Sequence, residues 1–128
     1  MGYLEDYLAI RRAYWPYDDN YRIITFGEHG FAARIGDVTA GLAWADLTGT
    51  EAVMHMKLKP EYSEYGIGTE LLHKLMNNLI DSGAVVIRYT ITPDHWAYQI
   101  YEHLGFEIEN RTQDEIQFIR RIQPDVIT

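Results

Sequence analysis

The segment from Glu51 to Ile91 constrains the fold more than any other, because it reads in direct succession as strand, glycine pair, amphipathic helix and strand. "EAVMHMKL" is β-rich and leads to Pro60. Gly66 and Gly68 follow. Ile67, Leu71, Leu72, Leu75, Met76, Leu79 and Ile80 then fall on one helical stripe, with Glu70, His73, Lys74, Asn77 and Asn78 on the other side. Gly83 stands where a helix ends, since glycine takes the left-handed C-terminal conformation at little cost. "AVVIRYTI" is dense in β-branched residues and reads as a central strand buried on both faces. A helix between two such strands belongs to a sheet of mixed direction.

The flanks add strands and two further helices. Leu4, Tyr7, Leu8 and Arg11 recur at helical spacing over Tyr3 to Tyr14, and the helix stops before Trp15-Pro16 because a residue preceding proline is pushed out of the helical region. "YDDN" reads as a turn. "YRIITF", "FAARI" and "AGLAWADL" are strands separated by the hairpin-type connections "GEHG" and "GDVT". After Ile91, Thr92 is an N-cap, Pro93 the first helical residue and Gly105 the stop, with Trp96, Ala97, Ile100, Tyr101 and Leu104 on the inner face. "FEIEN" and "EIQFIRRI" close the chain as a strand pair around "RTQD". The expected class is α/β (α+β), with a mixed, mostly antiparallel central sheet flanked by helices. At 128 residues the chain suits a single domain over 1–128, without repeats or linkers.

Composition removes several functions. There is no cysteine, which excludes disulfides, thiolate metal ligands and a cysteine nucleophile. The charge of −8 repels a phosphate backbone, so no nucleic-acid partner is expected. No run approaches the ~20 apolar residues of a membrane span, and "MGYLEDYLAI" lacks the basic region of a signal peptide; a cytoplasmic protein without membrane attachment is the expectation. His29, His73, His95 and His103 have no ligand partners at suitable spacing, so no metal is expected.

The glycine pair carries the chemistry. Gly66 and Gly68 let the backbone turn sharply and approach a ligand closely, and the first N–H groups of the helix lack intrahelical partners. That is an anion site suited to a pyrophosphate. The spacing fits neither a P-loop nor a dinucleotide fingerprint.

Two segments together resemble one family, the GNAT superfamily of N-acetyltransferases, over about residues 31 to 122. Its pyrophosphate loop reads Gln/Arg-x-x-Gly-x-Gly/Ala after a strand ending in an apolar residue and often proline; "LKPEYSEYGIGTELL" matches at Leu58, Pro60, Gly66 and Gly68. Its second signature, Asn-x-x-Ala-x-x-x-Tyr-x-x-x-Gly-Phe, is matched by "DHWAYQIYEHLGF" at Ala97, Tyr101, Gly105 and Phe106, with Asp94 for asparagine. The resemblance implies a splayed mixed sheet and acetyl-CoA as cosubstrate, held by Leu58, Ser63, Glu64, Tyr65, Gly66, Ile67, Gly68, Thr69, Asp94 and Ala97. It implies direct attack of an amine on the thioester in a ternary complex. A strand N–H polarises the carbonyl and Tyr101 protonates the departing sulfur.

The departures shape the remaining expectations. Ser63 stands where Gln or Arg is usual, followed by Glu64 and Tyr65. A carboxylate ~5 Å from a phosphate costs roughly 1 to 3 kcal/mol. The usual base positions hold Ala52 and Met54; His55 is the neighbouring candidate, turned to the opposite face by strand alternation unless a bulge intervenes, and Asp46 and a water chain are the alternatives. The region before the hairpin is short for the family's acceptor wall, which suits a protein or peptide amine, with a small-molecule amine and a homodimer left open. The competing class is a non-catalytic module of the same fold that engages a protein partner or senses CoA.

Overall fold

The computed structural model describes residues 21–92, 101 and 104–122, with the backbone alone at 63–65. The strands are β1 (Tyr21–Thr25), β2 (Gly30–Ile35), β3 (Val38–Thr48), β4 (Glu51–Leu58), β5 (Val86–Ile91), β6 (Glu107–Arg111) and β7 (Ile116–Arg121), and helix α1 (Ile67–Asp81) lies between β4 and β5. Each predicted strand is present. The expected helix over 3–14 and most of the one after Pro93 lie outside the described residues, as do Asp94 and Ala97.

The strands form one sheet in the order β1-β2-β3-β4-β5-β7-β6. Hairpin connections make β1/β2 and β2/β3 antiparallel, and β5/β7 and β6/β7 are antiparallel too. The β4/β5 ladder is parallel and runs from Glu51↔Val86 to Met54↔Tyr89, while β4 itself continues to Leu58. Thus α1 joins two parallel strands inside a mostly antiparallel sheet.

The chain divides into two compact units, one within Met1–Trp44 and Met56–Leu75, the other within Ala45–His55 and Met76–Thr128. In the first, Lys59 N–H donates to the Ala40 carbonyl at 2.9 Å, tying the end of β4 to β3. A Cβ on Gly41 would stand 2.8 Å from Leu58 Cδ1 and 3.1 Å from Leu71 Cδ1, so glycine there lets α1 and β4 close over β3. In the second unit Ile87, Tyr89, Tyr101, Phe106 and Phe118 are buried.

The apolar stripe of α1 is buried from Ile67 to Leu79, with Ile80 half-buried. Each fully buried side chain contributes roughly 1.5 to 3 kcal/mol of transfer free energy. The C-terminus closes as the glycine predicts. Gly83 has φ +98°, Ala84 N–H reaches the Leu79 carbonyl at 2.9 Å, and Gly83 N–H reaches that of Ile80 at 3.1 Å, the paired bonds of a Schellman end.

One expectation is corrected. β5 is not buried on both faces: Ile87, Tyr89 and Ile91 are buried, Val86 and Arg88 are half-buried and Thr90 is exposed. Arg88 explains the polar face. Its guanidinium donates to Glu51 Oε1 at 2.6 Å and Glu109 Oε1 at 3.1 Å. These contacts hold its pKa above the ordinary arginine value, chiefly through the hydrogen bond to Glu51 and then that to Glu109.

Candidate active site

The segment before α1 is a 3-10 helix over Pro60–Tyr65 rather than an irregular loop. Pro60 sits in its first turn, where a fixed φ and a missing N–H cost nothing. The 3-10 helix ends at Gly66, whose φ of 78° and ψ of 11° are left-handed. An L side chain disfavours that conformation, so this glycine turns the chain from one helix into the next. Glu70 N–H makes the first bond of the α1 ladder, to the Gly66 carbonyl at 3.1 Å. The N–H groups of Ile67, Gly68 and Thr69 are left without intrahelical acceptors, at the positive end of the helix dipole.

Gly68 has a different task. A Cβ there would lie 3.3 Å from Met56 Cε and 3.5 Å from Leu58 Cδ2, so its bareness lets the first turn of α1 seat against β4. Ile67 and Thr69 are buried, and Leu58 is half-buried at the end of the strand. The backbone of Ser63, Glu64 and Tyr65 belongs to the 3-10 helix, and their side chains lie outside the described residues.

A carboxylate that no sequence motif singles out also sits at this helix start. Tyr21 Oη donates to Glu70 Oε1 at 2.7 Å in a partly buried contact from β1 to the first turn of α1. The helical stripe placed Glu70 on the polar side, but no local pattern names Tyr21 as its partner. In the same unit, Thr39–Leu42 and Lys57–Pro60 line a groove of about 430 Å³. Two of the chain's three lysines, Lys57 and Lys59, belong to it.

The second unit holds the other candidates. His55 is on the face opposite the buried Ala52 and Met54, as strand alternation predicts. It is the first residue of β4 past the last β4/β5 pair. Its Nε2 is 3.1 Å from Asp46 Oδ2, with the side chains 40% and 77% exposed. Asp46 is near the end of β3 and His55 near the middle of β4, across the Gly49-Thr50 turn.

Tyr101 is 1% exposed. Its ring packs edge-on to Tyr89 at 5.3 Å between centroids, 5.2 Å from Phe118 and 6.5 Å from Phe106. Burial, and then the Tyr89 phenol beside it, push its hydroxyl far above the ordinary tyrosine range. Tyr89 is raised by burial also, although the neighbouring Tyr101 phenol works the other way. The phenol of Tyr101 is therefore protonated throughout the neutral range and is a weak acid. Among the described residues no group of three His, Asp or Glu could hold a metal, and no helix is long and apolar enough to cross a membrane.

The parallel β4-α1-β5 unit with its glycine-turned helix start, set in a mostly antiparallel sheet, is the fold that the resemblance implies. The sequence model of the acetyltransferase (GNAT) domain matches residues 19–120. The chain belongs to this family, that of the acetyltransferase (GNAT) domains. No curated protein matches its sequence. Among solved structures it is similar to the ribosomal-protein-S18-alanine N-acetyltransferase of Escherichia coli, with 18% identity and a TM-score of 0.67 over 92% of this chain and 91% of that one. The PaiA N-acetyltransferase of Thermoplasma acidophilum in complex with coenzyme A is 19% identical, with a TM-score of 0.63 over 72% of this chain. The match spans 59% of PaiA. YncA of Salmonella typhimurium, solved with its cofactor acetyl-CoA, is 16% identical, with a TM-score of 0.66 over 77% of this chain and 67% of that one.

Proposed function

We propose that this chain, acting as one domain, transfers the acetyl group of acetyl-CoA to a primary amine of a protein or peptide, by direct attack in a ternary complex. The left-handed Gly66 at the start of α1 carries the reading, because it leaves three N–H groups and a helix dipole to receive a pyrophosphate. Gly66, Ile67, Gly68 and Thr69 are assigned to that anion, with the backbone of Ser63, Glu64 and Tyr65 leading into the cradle. Leu58 is assigned to the pantetheine, and Asp94 and Ala97 to the cofactor on their motif positions. A protein acceptor is supported by the name of the similar Escherichia coli structure, an alanine N-acetyltransferase of a ribosomal protein.

In this mechanism the amine attacks the thioester carbonyl and a β4 N–H past the Met54↔Tyr89 pair polarises its oxygen. His55 takes the amine proton, and Tyr101 supplies one to sulfur. A phenol whose pKa burial raises keeps its proton until the thiolate has formed, so Tyr101 gives it up late in the step.

A second reading, a binding module that does no chemistry, is favoured by the near-complete burial of Tyr101 among three other aromatic rings. Tyr101→Phe separates the two. With labelled acetyl-CoA and a panel of peptides and small amines, an enzyme using this phenol loses roughly 10- to 100-fold in kcat at unchanged CoA affinity. Equal turnover in the variant removes Tyr101 from the chemistry, and no labelled product from the parent protein favours the binding module.

A further inference from the structure

We propose that Asp46 is a positioning residue for His55, fixing the ring so that Nε2 carries the proton and Nδ1 is the nitrogen that receives the proton of the acceptor amine. The inference rests on the assignment of His55 as the base made above. A carboxylate only accepts hydrogen bonds, so a neutral imidazole with Nε2 3.1 Å from Asp46 Oδ2 must donate from Nε2. The lone pair is thereby set on Nδ1, since the hydrogen bond made by one ring nitrogen decides the state of the other.

The backbone makes the pairing a property of the hairpin. Asp46 lies two residues before the end of β3, and His55 lies four residues after the start of β4, with Gly49-Thr50 turning between them. The two side chains meet on the face that also presents Val53 and Lys57, away from the buried Ala52 and Met54. His55 is placed where β4 leaves its ladder with β5, next to the N–H groups assigned to the carbonyl oxygen. Both side chains reach solvent, which gives the collected proton a way out.

The step balances without a further reagent. The amine nitrogen forms a bond to the carbonyl carbon and the carbon–sulfur bond breaks. One amine proton passes to Nδ1, giving an imidazolium whose Nε2–H still faces Asp46. Sulfur gains its proton from Tyr101, and the phenolate and imidazolium exchange the equivalent proton through solvent. The products are the amide and the CoA thiol.

An exposed pair of this kind contributes little to folding, so Asp46→Ala should fold normally. Long-range proton–nitrogen correlation spectra of the full chain labelled at histidine, in alkaline buffer, read the tautomer directly. The expected result is a protonated Nε2 and a bare Nδ1 at His55, giving way to a tautomer mixture in Asp46→Ala. Protonated Nδ1 in the parent, or an unchanged pattern in the variant, overturns the proposal. With acetyl-CoA and a lysine-containing peptide as probes, His55→Gln should lower kcat about 100-fold. Asp46→Ala should lower it about 10-fold without changing KM for acetyl-CoA, and the double variant should be no slower than His55→Gln alone. Full activity in His55→Gln refutes the base assignment itself. A slow His55→Gln beside a fully active Asp46→Ala refutes the role of Asp46 alone.

Discussion

Replacing Gly66 with alanine tests the turn on which the anion site depends. The residue has φ 78° and ψ 11°, a conformation that costs an L residue about 1 to 2 kcal/mol. Alanine also narrows the unfolded ensemble, which returns about 0.4 to 1 kcal/mol. The net loss is roughly 0.5 to 1.5 kcal/mol. For 128 residues the unfolding entropy near the midpoint is about 0.27 kcal/mol per kelvin, so Tm should fall by ~2 to 6 °C. Gly66→Asn should lose less, because asparagine tolerates the left-handed region. Calorimetry measures both shifts, and titration with CoA measures the function. If alanine is accommodated by unwinding the first turn of α1, up to three N–H donors leave the cradle, at roughly 1.5 to 3 kcal/mol for each bond to a charged group. Affinity should then fall at least 10-fold in Gly66→Ala and less in Gly66→Asn. An alanine variant with parental Tm and parental CoA affinity would refute both the left-handed turn and its role.

Three further outcomes follow from particular contacts. Gly41→Ala should lose about 1 to 3 kcal/mol in denaturant titration, because its Cβ meets Leu58 Cδ1 at 2.8 Å and Leu71 Cδ1 at 3.1 Å; parental stability would mean that those leucines yield freely. Glu70→Gln should tighten CoA binding by about 3- to 10-fold, by removing a negative charge from the helix start where Tyr21 holds it, and unchanged affinity by calorimetry would place the carboxylate away from the ligand. Tyr89 and Tyr101 have folded pKa values raised above that of the unfolded chain, so their stabilisation is complete below about pH 10 and is lost as pH rises beyond it, when the unfolded phenols ionise first. Urea titrations across that range should therefore show a steeper alkaline loss in the parent than in Tyr89→Phe/Tyr101→Phe, and equal slopes would contradict the burial argument.

The seven strands were legible because each pairs β-rich residues with a turn signal, as in "FAARI" before Gly36-Asp37 and "EIQFIRR" after "RTQD". α1 was legible from its stripe and from Gly83. β5 departs from its pattern because a β-branched run implies burial on both faces, whereas the carboxylates of Glu51 and Glu109 let Arg88 occupy the outer one. The 3-10 helix over Pro60–Tyr65 is hidden, since two turns of three residues are too short to display a periodicity. At the site, the parity of β4 put His55 opposite Ala52 and Met54. Its meeting with Asp46 depends on the register across Gly49-Thr50, which residue types do not specify. The Tyr21–Glu70 contact spans 49 residues and has no local signal at all. Tyr101 was recognised by its motif, while its burial beside Tyr89 is a matter of tertiary packing.

The central claim is that the N-terminus of α1 holds the pyrophosphate of CoA, and backbone amide spectra of the labelled protein during a CoA titration test it most directly. The account predicts saturable shifts, with micromolar affinity, concentrated at the N–H groups of Ile67, Gly68 and Thr69. Unmoved signals from these three residues at millimolar CoA would contradict it.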